Sequence, residues 1–168
     1  MDIGHGQTSQ AQLSEVVFRQ SPLPWLISIG LSVITYVFLR EEIQSPWLLY
    51  WLIAQVSLGC LRLLFYVLQF RRSDKTRDLR VARSVNGATV FVAGLLWGAL
   101  TIFLAMGLSS FGQTFTYLML AGITSGGLTA YGARRDYYLA FITPILLPLI
   151  TWSLYRQDTY YLLLSLLL

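Results

Sequence analysis

The chain has 168 residues, of which 55% are hydrophobic and only 12% are charged, with twelve Lys and Arg against eight Asp and Glu. Soluble domains average about 25% charged residues, so this composition excludes an ordinary soluble protein and indicates a polytopic membrane protein. The basic excess lies in short loops between apolar runs, where such charges orient membrane proteins, so we expect the lipid bilayer and not nucleic acid as the partner.

The chain opens with a polar segment and continues as a series of apolar runs. Residues 1–20 predict a cytoplasmic polar tail with an amphipathic lead-in. Residues 21–168 predict an all-α, polytopic transmembrane helix bundle of six spans with the sixth truncated. Ten residues reach only about 15 Å as a helix, half of a bilayer, so we expect the sixth span to continue beyond the last residue. The predicted spans are about 23–39, 46–70, 87–106, 114–131, 137–155 and 159–168.

Proline, glycine and serine mark the predicted helix boundaries. Pro24 and Pro46 are each followed directly by a tryptophan. Proline is tolerated in a first helical turn, and tryptophan is common at the level of the lipid headgroups. No charge occurs in residues 84–133, which are long enough for two spans, and the Gly- and Ser-rich residues 107–113 predict the turn between them.

The distribution of basic residues predicts the orientation. Residues 71–83 hold six of the twelve Lys and Arg. Together with the N-terminal tail, the loops on that side carry nine basic residues, whereas the opposite loops carry two. Because basic loops stay in the cytoplasm, we expect a multi-pass protein of the bacterial inner membrane with a cytoplasmic N-terminus.

Two small-residue motifs occur in successive spans. Close packing across small residues drives much of the helix association in lipid, so a packing role is the first interpretation. The alternative is a cavity beside three hydroxyl residues, which could face a small ligand. The predicted packing residues are Gly94, Gly98, Gly122, Gly126 and Ala130, and the hydroxyl residues are Thr124, Ser125 and Thr129.

Arg62 is the single charge inside the second apolar run. A charge near the bilayer centre costs at least about 2.5 kcal/mol, and such residues often mark function. Two interpretations stay open: the side chain snorkels to the headgroups or anchors the structure, or it has a role in ligand binding or signal coupling. A buried partner would be a carbonyl, a hydroxyl or a tyrosine. Pro144 and Pro148 should bend the fifth span and are further coupling candidates.

Other chemistry has little support in the residues. His5 has no Cys or carboxylate cluster beside it, so we expect no metal and no cofactor. The apolar body holds neither paired carboxylates nor a Ser-His-Asp set, so we expect that this chain is not itself an enzyme. Tyr131, Tyr137 and Tyr138 are interpreted as an interfacial aromatic belt.

Four segments together carry a family resemblance, namely residues 62–64, 93–98, 120–122 with Gly126, and 144–148. They resemble the MASE-like N-terminal membrane sensor region of bacterial signalling proteins. The resemblance implies a membrane input and anchoring region ahead of a cytoplasmic output module, commonly a diguanylate cyclase or a histidine kinase. It also implies a homodimer formed through that module. It assigns no catalytic residue to this chain.

Two other classes of function remain open. One is a small transporter or channel, which would place polar or broken-helix sites at the midplane and show internal repeats. Only Arg62 and the two prolines meet the first criterion, and no convincing repeat relates residues 21–85 to 86–168. The other is a membrane scaffold that acts through helix packing alone.

Overall fold

The computed structural model describes residues 23–71, 79–105, 107–132 and 134–156. These residues form helices and the turns between them, with no strand among them, which confirms the predicted all-α class. Among the described residues there are five long helices and one short one. They are α1 (Leu23–Leu39), α2 (Pro46–Arg71), α3 (Leu79–Gly98), α4 (Leu100–Ala105), α5 (Ser110–Tyr131) and α6 (Arg135–Arg156).

Among the described residues three helices are long and apolar enough to cross a membrane, which indicates a membrane protein, but the expected six spans are not supported. The three segments are Pro46–Leu68, Ser84–Leu104 and Arg135–Tyr155. Helix α1 is apolar but has 17 residues, about 25 Å against roughly 30 Å of hydrocarbon. Helix α5 lacks charge, but its Ser, Thr, Gln and Gly residues lower its hydropathy. The sixth predicted span, 159–168, lies outside the described residues.

The predicted turn at 107–113 is present, although it is shorter than expected. Gly107 has a φ of 86°, a backbone conformation that glycine adopts readily. Ser109 then caps α5, because its hydroxyl accepts a hydrogen bond from the Gly112 amide at 3.1 Å. This cap explains why α5 begins at Ser110 rather than near residue 114.

A side chain from the α1–α2 turn also binds the start of α5. The two Glu42 carboxylate oxygens accept hydrogen bonds from the Ser109 amide at 3.0 Å and from its hydroxyl at 2.7 Å. A carboxylate is favourable there, because the first amides of a helix lack intrahelical partners and carry partial positive charge. Glu42 therefore joins the two turns at this end of the bundle.

The predicted third span, 87–106, overlaps the candidate span Ser84–Leu104, which two consecutive helices form. Helix α3 begins at Leu79, and the chain changes helical geometry at Ala99 before α4. The Ala99 amide still bonds to the Leu95 carbonyl, whereas the Ile102 amide bonds to the Ala99 carbonyl in a tighter turn. This change directly follows Gly98, where α3 lies closest to α6.

The backbones of α3 and α6 approach each other closely at two glycines. A Cβ atom on Gly94 would overlap the Phe141 carbonyl oxygen, and one on Gly98 would overlap the Pro144 carbonyl oxygen. Pro148 has no N–H, so it cannot donate to the Pro144 carbonyl as a helix normally requires. Gly98 leaves room for this carbonyl oxygen at the place where any other residue would carry a Cβ atom.

The inward face of α2 explains the placement of its one interior charge. Its buried residues recur every three or four positions, as one face of a helix requires. The side chain of Trp51 on this face donates a hydrogen bond to the Leu96 carbonyl of α3. Arg62 falls on the same face and therefore points into the bundle. The face comprises Leu48, Trp51, Gln55, Gly59 and Arg62.

We predict that Gly98→Ala destabilises the bundle by about 1–3 kcal/mol, because the added methyl group must displace the Pro144 carbonyl. The free energy of unfolding of the purified protein, measured by titration from mild detergent into SDS, tests this. Gly30→Ala is the matched control, because nothing lies within 4 Å of its added Cβ. Alanine should stabilise α1 there by about 0.5–1 kcal/mol. Equal effects of the two substitutions would contradict the close α3–α6 contact.

We further predict that Glu42→Ala weakens the start of α5. Loss of a carboxylate at a helix N-terminus costs about 0.3–1 kcal/mol, so hydrogen exchange of the first α5 amides should accelerate roughly two- to fivefold. Glu41→Ala removes the neighbouring exposed carboxylate and should leave this exchange unchanged. If both variants exchange alike, Glu42 does not hold the turn.

Candidate binding pocket

A pocket of about 250 Å³ lies among α1, α2, α3, α5 and α6. Its walls are largely apolar and aromatic, and they contain one charged side chain. Ligand sites typically combine such walls with a small number of polar groups that fix orientation. The pocket is therefore the leading candidate site. Its principal lining residues are Trp25, Ser28, Arg62, Trp97, Tyr131 and Phe141.

Arg62 supplies the charge of the pocket and is only 7% exposed. Its Nη1 donates a hydrogen bond to the Tyr131 hydroxyl at 3.1 Å. The guanidinium carbon lies 5.9 Å from the centroid of the Trp25 ring, close enough for a cation–π attraction. Within the described part of the chain no carboxylate forms a salt bridge with Arg62, so only neutral groups contact its positive charge.

Two donor atoms of Arg62 remain unmatched. Nε and Nη2 are buried and have no hydrogen-bond partner among the described residues. Burial of a donor without a partner costs about 1–3 kcal/mol, and more when the group is charged. Nε–H and the outer N–H of Nη2 lie on one edge of the planar guanidinium, the edge that forms paired hydrogen bonds with a carboxylate. The side chain is thus arranged to receive an acceptor with two oxygens.

The aromatic walls are fixed by their own contacts. The indole N–H of Trp97 donates to the Ser28 hydroxyl at 3.2 Å, which joins α3 to α1. The Tyr131 and Phe141 rings lie 5.3 Å apart and join α5 to α6. The Tyr131 hydroxyl accepts from Arg62 and retains its own proton as a further donor. The donors of Arg62 and Tyr131 therefore lie beside apolar surfaces that other contacts hold in place.

The mouth of the pocket lies between α1 and α5. Leu23 and Ile27 of α1 line it and are 57% and 51% exposed. Gly122 and Gly126 of α5 line the facing side, and no atom lies within 4 Å of a Cβ added to either. Within the described residues no neighbouring helix packs on these two glycines, and their packing role stays a prediction. Their missing side chains leave space in the pocket instead of admitting a neighbouring helix.

The remaining predicted residues have separate locations. Gly94 and Gly98 lie against α6, whereas Ala130 and Thr129 line the pocket. The Thr129 hydroxyl bonds to the Gly126 carbonyl of its own helix. Thr124 is buried but bonds to the Ala121 carbonyl and does not line the pocket, and Ser125 is exposed. Pro144 and Pro148 lie within a continuous α6, outside the pocket lining.

One sequence interpretation requires correction. Arg62 does not snorkel to a surface, because α2 packing turns it inward, and a tyrosine is its partner among the alternatives considered. Trp25 and Tyr131, which the sequence places at the headgroup level, both line the pocket beside Arg62. No local sequence signal pairs Tyr131 with Arg62, because the two residues are 69 positions apart in the chain.

In the described ranges no group of three His, Cys, Asp or Glu side chains could hold a metal ion. The described acidic residues near the pocket's helices, Glu41, Glu42 and Asp136, lie at helix ends and turns. Comparison with protein-family models, with curated proteins and with solved structures found no match for this chain.

Proposed function

We propose that this chain is the membrane-embedded input region of a bacterial signal-transduction protein and that the pocket around Arg62 is its sensory site. The observation that carries the proposal is a buried guanidinium with two unmatched donors in an apolar pocket. Membrane segments retain such a costly group mainly where it has a function. An occupant that satisfies these donors would stabilise one arrangement of the helices over another.

The contacts around the pocket offer a route for coupling. Arg62 bonds to Tyr131 at the end of α5, and the Tyr131 ring lies against Phe141 of α6. Phe141 also packs on Gly127 through its ring and on Gly94 through its carbonyl. An occupant that moves Arg62 or Tyr131 would therefore change the packing of α6, and Pro144 and Pro148 are the positions where α6 yields most readily.

The resemblance to MASE-like regions supports the wider assignment. We propose an inner-membrane location with a cytoplasmic N-terminus, and an output module of the diguanylate cyclase or histidine kinase type that pairs as a homodimer. In this proposal the chain binds and transmits, and the chemistry belongs to the output module. A small transporter or a scaffold remains the competing assignment that the experiment below distinguishes.

We predict that Arg62→Gln changes the signalling output of residues 1–168 fused to a diguanylate cyclase module by at least about threefold. A threefold change requires the substitution to alter the free-energy difference between the two helix arrangements by only about 0.7 kcal/mol. Cyclic di-GMP in cells measures the output, and membrane abundance is measured in parallel. Arg40→Gln, in the exposed α1–α2 turn, is the matched control and should leave the output unchanged.

Equal output from both variants at equal abundance would contradict a sensory role for the pocket. In that case the purified protein in liposomes distinguishes the alternatives. Solute flux that depends on Arg62 would favour a transporter. Absence of flux would favour a scaffold.

A further inference from the structure

The chemistry of the pocket also indicates what occupies it. We propose that the occupant is a single-chain amphiphile with a carboxylate head, bound by Nε and Nη2 of Arg62, with its chain leaving through the mouth between α1 and α5. This inference rests on the proposed sensory function and deepens it. It combines the charge, the volume and the exposure of the lining residues.

The head must be a planar monoanion. The free edge of Arg62 offers two parallel donors, which match the two oxygens of a carboxylate in a paired arrangement. Among the described lining residues Arg62 is the single cation. One positive charge balances a carboxylate, whereas a phosphate dianion would leave excess negative charge buried in an apolar pocket. The Tyr131 hydroxyl can donate a third hydrogen bond to the same head.

The rest of the ligand must be apolar and narrow. The volume of 250 Å³ is slightly below the range of about 300–1,000 Å³ for pockets that enclose drug-sized ligands. The pocket can therefore hold a head and the first part of a chain, and the remainder must extend outside. The exposed lining residues are Leu23 and Ile27 of α1 and Gly122, Gly126 and Thr129 of α5. Because the Thr129 hydroxyl bonds to its own helix, the chain would leave between largely apolar surfaces of α1 and α5.

Binding must displace a side chain, because Nε and Nη2 are fully buried. Trp25 is the candidate, since its ring lies over the Arg62 guanidinium and lines the pocket from the first turn of α1. The ring also contacts Tyr66 of α2 edge-on at 5.8 Å. Exchange of a cation–π contact for paired hydrogen bonds would release Trp25 and shift α1 against α2. The empty and occupied states then differ in structure, as a sensor requires.

Decanoate binding to the purified 168-residue protein in nonionic detergent tests this proposal, with tryptophan fluorescence and thermal unfolding as the two readouts. We expect saturable binding of decanoate that decanol and methyl decanoate fail to compete at tenfold higher concentration. Arg62→Lys keeps the charge but loses the paired donors, so its affinity should fall at least about tenfold. Arg40→Lys, in an exposed turn, should bind as the unsubstituted protein does.

A second variant keeps the test valid if Arg62→Lys does not fold. Gly126→Leu fills open space at the mouth and leaves Arg62 unchanged, so it should fold and block decanoate. Trp25→Phe should remove most of the fluorescence change while thermal stabilisation persists. The proposal is overturned if decanol binds as well as decanoate, if decyl phosphate binds more tightly, or if a folded Arg62→Lys or Gly126→Leu variant binds normally.

The two proposals fail in different ways. If decanoate does not bind but Arg62→Gln changes the cyclase output, the sensory function stands and the ligand class is wrong. If decanoate binds through Arg62 but Arg62→Gln leaves the cyclase output unchanged, the pocket is a lipid site and the sensory function is wrong.

Discussion

The close approach of α3 to α6 is the constraint on which the bundle depends. Two glycines four residues apart let the α3 backbone rest on the carbonyl groups of α6. Pro148 leaves the Pro144 carbonyl without its helical donor, and Gly98 faces that oxygen. Because lipid tails are as apolar as the side chains, the hydrophobic effect does not drive helices together in a membrane, and close contacts of this kind drive helix association instead. The same contact fixes Trp97 and Phe141 as two walls of the pocket.

Against this rigid pair, α2 carries polar groups that its neighbours do not fully satisfy. Nε2 of Gln55 and two nitrogens of Arg62 are buried without partners in the described part of the chain, and they lie seven residues apart on one face of α2. A bundle selected only for stability would replace these groups with apolar ones, since each costs free energy. Buried polar groups that lack partners, and other departures from stable packing, concentrate at functional sites. The unmatched edge of Arg62 is the observation on which the proposed binding role rests.

The two small-residue motifs show why a pattern does not define a contact. Gly94 and Gly98 meet the backbone of another helix, whereas Gly122 and Gly126 have the same spacing and face open space. The difference is the rotation of each helix about its axis, which depends on all the side chains that pack around it. A cavity beside α5 was one of the alternatives suggested by the sequence, but Thr124 is turned away from it.

The sequence by itself determined the helical class, which follows from the apolar runs, and the position of the turn near Gly107, which follows from backbone preferences. It also identified Arg62 as an unusual residue, because a charge inside an apolar run is costly in lipid. The tertiary structure decided which way Arg62 points and what it meets. Its partner Tyr131 is distant in the chain, and only helix packing brings the two together. The number of candidate spans also depended on the structure, because length and mean hydropathy are judged for each observed helix and not for an uncharged run of sequence.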